Sequence, residues 1–193
     1  MTKRFKLVCV GDGATGKTCL LSVFSKGEFP ELYVPTVFES QEKDINVDGQ
    51  EYLLHIFDTA GQEDMDRIRP LSYPDTNIVL VCFSIDNHES FDNVKLKWIK
   101  EIDHYCPNIN IVLAGLKTDL RTDQETLDSL KAINKEPIKS QEGQSLSIQI
   151  KAIKYVECSS KTNSNVTQVF EEVVKAALTK SIRGTKSKKC LIL

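Results

Sequence analysis

The sequence lacks a long apolar run, metal-ligand spacing and closely paired cysteines. No apolar run approaches the roughly 18 residues that a membrane span needs. The three histidines are scattered without metal-ligand spacing, and the six cysteines form no C-x-x-C pair. No signal peptide is recognisable, so reduced cytosolic thiols are expected rather than disulfides. These absences exclude a membrane-spanning protein and argue against a zinc site or a disulfide scaffold.

What the sequence does contain is enough apolar material for one folded domain. Of 193 residues, 40% are hydrophobic and 27% charged. The net charge of −2 is unevenly spread, because residues 180–193 hold five basic and no acidic residues whereas residues 1–179 hold 20 basic and 27 acidic ones. We therefore expect an acidic globular body over 1–179, a flexible basic tail over 180–193, and no nucleic-acid partner.

Hydrophobic patterning predicts alternating strands and helices. Buried strands are predicted at residues 5–10, 78–83, 109–114 and 154–158. Asp48-Gly49, between apolar segments 44–47 and 50–57, predicts a two-residue β-hairpin. Helices are predicted from residue 19 and over 90–105, 141–152 and 164–180, with a short exposed one within 121–137. The pattern indicates an α/β doubly wound sheet with its site in the loops after Val10, Phe57, Ala114 and Val156.

The first of these loops carries a phosphate-binding motif. Residues 11–18 read G-D-G-A-T-G-K-T and match G-x-x-x-x-G-K-[S/T] between a predicted strand and a predicted helix. Lys17 is expected to reach the β- and γ-phosphates, and the Thr18 hydroxyl to ligate Mg²⁺. The residues of this loop and helix start that are expected to bind the nucleotide are Gly13, Ala14, Thr15, Gly16, Lys17, Thr18 and Cys19.

The second loop carries D-T-A-G-Q-E at residues 58–63, directly after the hairpin. Asp58 is expected to hold Mg²⁺ through water, and the Gly61 N–H to approach a γ-phosphate. Gln62 is then placed to orient an attacking water, so Gln62 and Lys17 are the predicted catalytic residues.

With these motifs, the sequence closely resembles the Rho family of Ras-like small GTPases, from residue 3 to residue 193. Residues 33–39, Y-V-P-T-V-F-E, resemble the family's first switch segment, and R-P-L-S-Y-P at 69–74 continues the second. The polar stretch 121–137 resembles the Rho-type insert. The resemblance implies a small G-domain with a six-stranded, mostly parallel sheet, one antiparallel hairpin strand, helices on both faces and the insert helix.

The resemblance also assigns residues to the nucleotide. Thr36 is implied as the second protein ligand of Mg²⁺, Tyr33 as a cover over the phosphates, and Phe29 as a neighbour of the base. Guanine recognition is implied for L-K-T-D at 116–119, through Lys117 and Asp119. It is likewise implied for S-S-K at 159–161, through Ser159, Ser160 and Lys161.

Some positions depart from the family pattern. Leu116 stands where the family has Asn or Thr and cannot supply their side-chain hydrogen bonds, which typically contribute about 0.5–1.5 kcal/mol. We expect weaker or faster-exchanging guanine binding with specificity kept by Asp119. Ser160 in place of Ala is a mild change. Phe57 and Gln41 also differ, and these positions bear on the choice of exchange factor and effector.

The C-terminal residues predict a lipid anchor. C-L-I-L at 190–193 fits C-a-a-X, with a terminal Leu that favours geranylgeranylation of Cys190. A second membrane signal is expected from Arg183, Lys186, Lys188 and Lys189. The expected location is the cytoplasmic face of membranes, chiefly the plasma membrane, with a cytosolic pool and cytoskeletal association.

The implied function is a switch between GDP-bound inactive and GTP-bound active states that signals to effectors in actin organisation and cell polarity. No Arg or Lys occurs between Gly27 and Gln41, so slow intrinsic hydrolysis stimulated by a GTPase-activating protein is expected. The implied partners are exchange factors, GTPase-activating proteins, a GDP dissociation inhibitor, and effectors such as kinases and formins.

Two alternatives remain open. One is a nucleotide-binding interaction module that rarely hydrolyses, against which stand Gly13, Ala60, Gly61 and Gln62. The other is a P-loop ATPase or small-molecule kinase, which Asp119 and the prenylation signal disfavour and which Leu116 leaves open.

Overall fold

Strands and helices alternate along the part of the chain that this computed structural model describes, residues 2–30, 38–181 and 183. The strands are β1 (Lys3–Val10), β2 (Phe38–Val47), β3 (Gln50–Thr59), β4 (Ile78–Ser84), β5 (Asn110–Leu116) and β6 (Lys154–Glu157). The helices are α1 (Lys17–Lys26), α2 (His88–Asn93), α3 (Ile99–Tyr105), α4 (Gln124–Ala132), α5 (Ser140–Gln149) and α6 (Val166–Leu178). Three 3₁₀ turns span Glu63–Met65, Arg69–Ser72 and Thr118–Arg121, and a π-helical turn, Val94–Trp98, joins α2 to α3.

The six strands form one sheet in the order β2-β3-β1-β4-β5-β6. Only β2 and β3 pair antiparallel, and the other neighbours are parallel. Asp48 and Gly49 both adopt left-handed backbone, with φ of 51° and 83°, as the turn of a tight hairpin requires. The predicted mostly parallel six-stranded sheet with one antiparallel hairpin strand is therefore confirmed.

Alternate side chains of the buried strands enter two separate cores, one on each face of the sheet. In β4, Leu80 packs with residues of α1 and α6, whereas Val81 packs with residues of α3 and α5. Both residues are fully buried, which explains why the sequence of β4 reads as a continuous apolar run. Helices on both faces confirm the doubly wound α/β architecture.

The boundaries of the helices differ from the sequence expectation for identifiable reasons. The predicted helix 90–105 begins earlier, at His88, because the Asn87 side chain caps it by accepting a hydrogen bond from Ser90 N. The predicted helix 141–152 ends at Gln149, shortly before Lys151 takes a left-handed conformation with φ of 55°. The insert contributes α4, which begins after an Asp123 cap and lies ahead of Pro137.

Among the described residues, no helix combines the length and the apolarity that crossing a bilayer would require. Three residues with predicted roles, Tyr33, Thr36 and Cys190, lie outside the described part of the chain, as does most of the predicted tail.

The strand order places the candidate loops together at the carboxyl ends of the parallel strands. The carboxyl ends of β1 and β3 are adjacent, and those of β5 and β6 are adjacent, with β4 between the two pairs. The loops that follow β1 and β3 carry the predicted phosphate chemistry. The loops that follow β5 and β6 carry the residues predicted to read the base.

Candidate nucleotide site

The loop between β1 and α1 contains backbone conformations with positive φ, which most residues rarely adopt. Gly11 and Gly16 have φ of 146° and 101°, and Ala14 is left-handed with φ of 59°. A Cβ on Gly11 would lie 2.2 Å from the carbonyl oxygen of Cys82, so this glycine allows the loop to contact β4. The α1 helix starts directly after Gly16 with no side-chain cap, which leaves its first amides directed toward the loop.

Lys17 is buried within this loop, with 6% of its surface exposed. Its Nζ donates to the carbonyl oxygens of Gly11, at 2.7 Å, and Asp12, at 2.8 Å. Burial lowers the pKa of Lys17, while Cys82 and Asp58 oppose that shift. Thr15 is also buried, and its hydroxyl donates to the Asp12 carbonyl at 2.9 Å, so the side chains of Lys17 and Thr15 both bond to backbone within the loop.

Thr18 and Asp58 bring two oxygen ligands together from different loops. Thr18 Oγ1 donates to Asp58 Oδ2 at 2.7 Å, and Asp58 is nearly fully buried at the end of β3. Mg²⁺ favours oxygen ligands and usually takes one or two from the protein, with water and phosphate supplying the rest. In the described chain, no cluster of three or more His, Cys, Asp or Glu is arranged as a metal cage. The Thr18 and Asp58 oxygens match the one or two protein ligands that a phosphate-bound Mg²⁺ takes.

Gly61 packs directly against the phosphate loop. A Cβ at Gly61 would lie 2.2 Å from Gly11 O and 2.5 Å from Gly13 N, distances that no side chain can occupy. The next residue, Gln62, has its Cγ within 3.5 Å of the Cβ position of Gly13. The strand leading into this segment is fixed by Thr59, whose Oγ1 donates to Cys9 O at 2.6 Å. Gln62 is thereby held beside the loop that would carry the phosphates.

A cavity of about 480 Å³ opens above these residues, within the size range of small-molecule sites. The predicted site residues that line it are Gly13, Ala14, Gly16, Lys17, Thr18, Cys19, Asp58, Gly61, Gln62 and Lys117. Further lining residues with no predicted role include Ser22, Lys26 and Pro30, and Glu39 of the first switch segment also lines the cavity. The predicted residues outside this described lining are Thr15, Phe29, Asp119, Ser159, Ser160 and Lys161. Contact with nucleotide stays a prediction for the lining residues and for these alike.

The loop after β5 meets the phosphate loop through Lys117. This residue is left-handed, with φ of 63°, and its Cε lies 3.7 Å from the Cβ position of Gly16. Leu116 is 1% exposed and belongs to the core, with its Cδ1 3.9 Å from the same position. The position that departs from the family pattern is thus occupied by packing rather than by hydrogen bonding.

Asp119 is joined to the loop after β6. Ser159 Oγ donates to Asp119 Oδ1 at 2.5 Å, and the same Ser159 oxygen accepts from Thr162 N at 3.1 Å. Backbone bonding adds a further connection, because Thr118 N donates to Cys158 O at 3.2 Å. The structure therefore brings the two predicted base-reading loops together. Ser160 lies among the buried polar residues, and Lys161 is exposed.

Sequence reasoning missed an ion pair behind these two loops. Arg121 donates to both carboxylate oxygens of Glu157 at 2.6 Å, and Tyr155 and Ser140 donate to the same carboxylate at 2.6 and 2.9 Å. Burial alone would raise the pKa of Glu157, but these hydrogen bonds, with that from Arg121 the largest, hold it below its usual range. Arg121 and Glu157 each lie two residues from a predicted base-reading residue, Asp119 or Ser159, but no local pattern in the sequence pairs them.

Comparisons with known proteins agree with this geometry. The Ras family model matches residues 6–179. The GTP-binding protein RHO1 of Candida albicans is 53% identical over 190 residues, covering 98% of this chain and 96% of that protein. The GTP-binding protein rho5 of Schizosaccharomyces pombe is 54% identical, covering 98% of each chain, and RHO1 of Saccharomyces cerevisiae is 53% identical, covering 98% and 96%. The chain belongs to the Ras family and, within it, to the Rho-type small GTPases.

Proposed function

We propose that this chain binds GTP and GDP in the cavity above residues 11–18 and hydrolyses GTP slowly, switching between a GDP-bound inactive and a GTP-bound active state. Membership of the Rho-type small GTPases supports this function. The observation that carries it is the meeting of three elements at one edge of the sheet. These are the buried Lys17, the Thr18–Asp58 pair and the close contact of Gly61 with the phosphate loop.

The phosphates are held by backbone amides of the loop and by the start of α1, whose partial positive charge favours anions. Lys17 supplies a full positive charge at the same place. Thr18, Asp58 and, in the first switch segment, Thr36 are the residues that would hold Mg²⁺. When bound, Mg²⁺ neutralises charge on the β- and γ-phosphates.

Hydrolysis needs one water in line with the γ-phosphate. The Gln62 side chain orients that water and the Gly61 N–H binds a γ-phosphate oxygen. The water oxygen bonds to the γ-phosphorus as the bond to the oxygen bridging the β- and γ-phosphates breaks, giving GDP, inorganic phosphate and a proton. No basic residue occurs between Gly27 and Gln41 to stabilise the developing charge, so the reaction is slow until a GTPase-activating protein supplies an arginine.

The base is selected by the loops after β5 and β6. Asp119 accepts hydrogen bonds from guanine N1 and N2, Lys117 stacks on the ring, and residues 159–161 surround the guanine oxygen. Ser159 holds the Asp119 carboxylate in place through their hydrogen bond. Phe29 is 46% exposed and precedes Pro30 of the cavity lining, so it is available to pack near the base, and Tyr33 covers the phosphates.

The γ-phosphate controls which partners bind. Thr36 and Gly61 hold the two switch segments to it, and hydrolysis releases them. The proposed readers of this difference are exchange factors, GTPase-activating proteins, a GDP dissociation inhibitor, and effectors such as kinases and formins. Roles in actin organisation and polarity are typical of the Rho family.

Attachment to membranes is proposed through geranylgeranylated Cys190 and the neighbouring basic residues. One lipid chain anchors only marginally, and basic residues add about 1 kcal/mol each near an anionic leaflet. Cys190→Ser should leave nucleotide binding unchanged and move the protein, with its cytoskeleton-associated pool, into the soluble fraction. Fractionation of cells that express each form tests this, and a variant that stays on membranes contradicts the anchor.

The function is tested by titrating the protein with fluorescent GTP and ATP analogues and following single-turnover hydrolysis. Binding of GTP well ahead of ATP, with slow hydrolysis, is expected. Gln62→Leu should slow hydrolysis roughly tenfold to a hundredfold with little change in affinity, because the water loses its orientation. Gln50→Leu, the same change on an exposed residue at the far end of β3, should change neither the hydrolysis rate nor the nucleotide affinity.

Each alternative has its own outcome. Preference for ATP would indicate an ATPase or a small-molecule kinase. Tight GTP binding without hydrolysis would indicate an interaction module. A wild-type rate in Gln62→Leu would remove the proposed role of this glutamine.

A further inference from the structure

The Asp12 side chain in the phosphate loop is bonded to a helix rather than directed to the cavity. Its Oδ1 accepts from Trp98 Nε1 and its Oδ2 from Asn93 Nδ2, both at 2.7 Å. Hydrogen bonds to an ionised carboxylate are the stronger class. The loop is therefore fixed to the α2–α3 region by two charge-assisted bonds.

The π-helical turn explains how one carboxylate reaches both donors. Asn93 and Trp98 are five residues apart, which in a regular α-helix places two side chains about 140° apart. Between them the helix takes the wider i→i+5 pattern, in which Ile99 N donates to Val94 O, so residues five apart lie nearly on one face. This local irregularity directs both side chains toward Asp12.

Trp98 makes a second contact, on the face of its ring. It is fully buried, and the guanidinium carbon of Arg69 lies 4.5 Å from its ring centroid. Arg69 is only 3% exposed and donates to the Ala60 carbonyl at 2.8 Å and to both Glu101 carboxylate oxygens at 2.7 and 2.8 Å. Burial would lower the pKa of Arg69, but hydrogen bonds to Glu101 and Asp66 raise it, so the buried charge is retained.

These contacts form a continuous path that begins and ends at the phosphate loop. Asp12 bonds to Trp98, Trp98 stacks on Arg69, Arg69 bonds to Ala60, and the next residue, Gly61, packs on the phosphate loop. We call Asp12, Trp98, Arg69 and Ala60 the Trp98 network. It joins the phosphate loop to the segment that carries Gln62.

Resting on the proposed function, we infer that Trp98 is a positioning residue for GTP hydrolysis. Its indole sets the separation between the phosphate loop and Gly61–Gln62, and so the geometry in which Gln62 meets the attacking water. A displacement near 1 Å in such a geometry can cost roughly a hundredfold in rate. The base is read by separate contacts around Asp119 and Ser159, so Trp98 acts on hydrolysis and not on guanine affinity.

The test uses Trp98→Phe in the full chain, which keeps an aromatic ring against Arg69 and removes the N–H that Asp12 accepts. Single-turnover GTP hydrolysis should slow about tenfold, the equivalent of losing one charge-assisted hydrogen bond. GDP dissociation should change less than about twofold. The matched control is Ile102→Ala, one helical turn further on, which weakens the same core but removes none of the hydrogen bonds or ring contacts that define the network.

A second variant keeps the inference testable if Trp98→Phe folds poorly. Asp12→Ala removes the acceptor from the loop side without opening the core, and it should slow hydrolysis at least as much. Since both changes remove the same bond, the double variant should be no slower than Asp12→Ala alone.

Three results would overturn the inference. The first is a double variant whose hydrolysis rate falls by the product of the two single losses. The second is an Ile102→Ala variant that loses as much hydrolysis rate as Trp98→Phe. The third is a Trp98→Phe variant whose GDP affinity falls as much as its hydrolysis rate. A wild-type chain that does not hydrolyse GTP would overturn the proposed function instead, and the inference with it.

Discussion

The two halves of the candidate site are built differently. The phosphate half, formed by the loops after β1 and β3, relies on backbone contact and buried charge, as in the Gly61–Gly11 approach and the Lys17 ammonium. The base half, formed by the loops after β5 and β6, relies on side-chain pairs such as Ser159–Asp119 and Arg121–Glu157.

This difference bears on what each half can tolerate. Backbone packed as closely as Gly61 on Gly11 leaves no space for an added atom, so a side chain at Gly61 would displace its segment. In the base half, several side-chain contacts share the task, and the loss of one leaves the others in place. Leu116 and Ser160, the departures at the guanine motifs, are changes of this kind.

The largest effect is expected from Gly61→Ala in the phosphate half. The added Cβ would lie 2.2 Å from Gly11 O and 2.4 Å from Asp12 C, so the segment carrying Gln62 must move away from the loop. Single-turnover GTP hydrolysis should fall by roughly a hundredfold or more, with a smaller change in GDP affinity.

Gly49→Ala is the matched control for this substitution. Gly49 lies at the other end of β3 with φ of 83° and no atom within 4 Å of a new Cβ. The strained backbone should lower the free energy of unfolding by about 1–2 kcal/mol and leave hydrolysis unchanged. Equal hydrolysis losses in both variants would show that the contact of Gly61 with the loop is unimportant.

A smaller effect is expected from Arg121→Met in the base half. The change leaves the half-buried Glu157 carboxylate without its bidentate partner, and the free energy of unfolding should fall by about 1–3 kcal/mol. GDP should dissociate about fivefold faster, because the loops after β5 and β6, which carry Asp119 and Ser159, lose the ion pair that joins them. Arg4→Met, which removes an exposed ion pair with Glu42, should cost under about 1 kcal/mol and leave GDP release unchanged.

The same pair gives a pH dependence with a defined sign. Glu157 has a lowered pKa in the folded protein, so its stabilisation is present above about pH 4.3, the ordinary glutamate value, and is lost as pH falls through the folded pKa. The difference in the free energy of unfolding between wild type and Arg121→Met should therefore become smaller below pH 4. A constant gap from pH 7 to pH 3, measured by denaturant unfolding, would contradict this.

The features predicted from sequence are those with a local signature. Apolar patterning predicted a segment of each of the six strands, although only residues 44–47 of β2, and Asp48-Gly49 predicted the hairpin, because each signal depends on neighbouring residues alone. The phosphate loop was found for the same reason, since its chemistry lies within eight consecutive residues.

The features that were missed depend on residues far apart in the chain. Asp12 and Trp98 are 86 positions apart, and Arg121 and Glu157 are 36 apart, so only the packed fold brings them together. The π-helical turn that presents Trp98 has no distinct sequence pattern within an amphipathic helix. Partners of this kind are fixed by the sheet order and helix packing.

Leu116→Asn tests whether the base half tolerates its departure from the family pattern. An Asn side chain that braces the loops should slow GDP dissociation about threefold to tenfold. Because Leu116 is 1% exposed, the same change should lower the free energy of unfolding by about 2 kcal/mol or more. Leu130→Asn in α4 is the control, which should lose stability without slower GDP release. An unchanged release rate in Leu116→Asn would mean that Ser159 and Arg121 already supply all the bracing that these loops use.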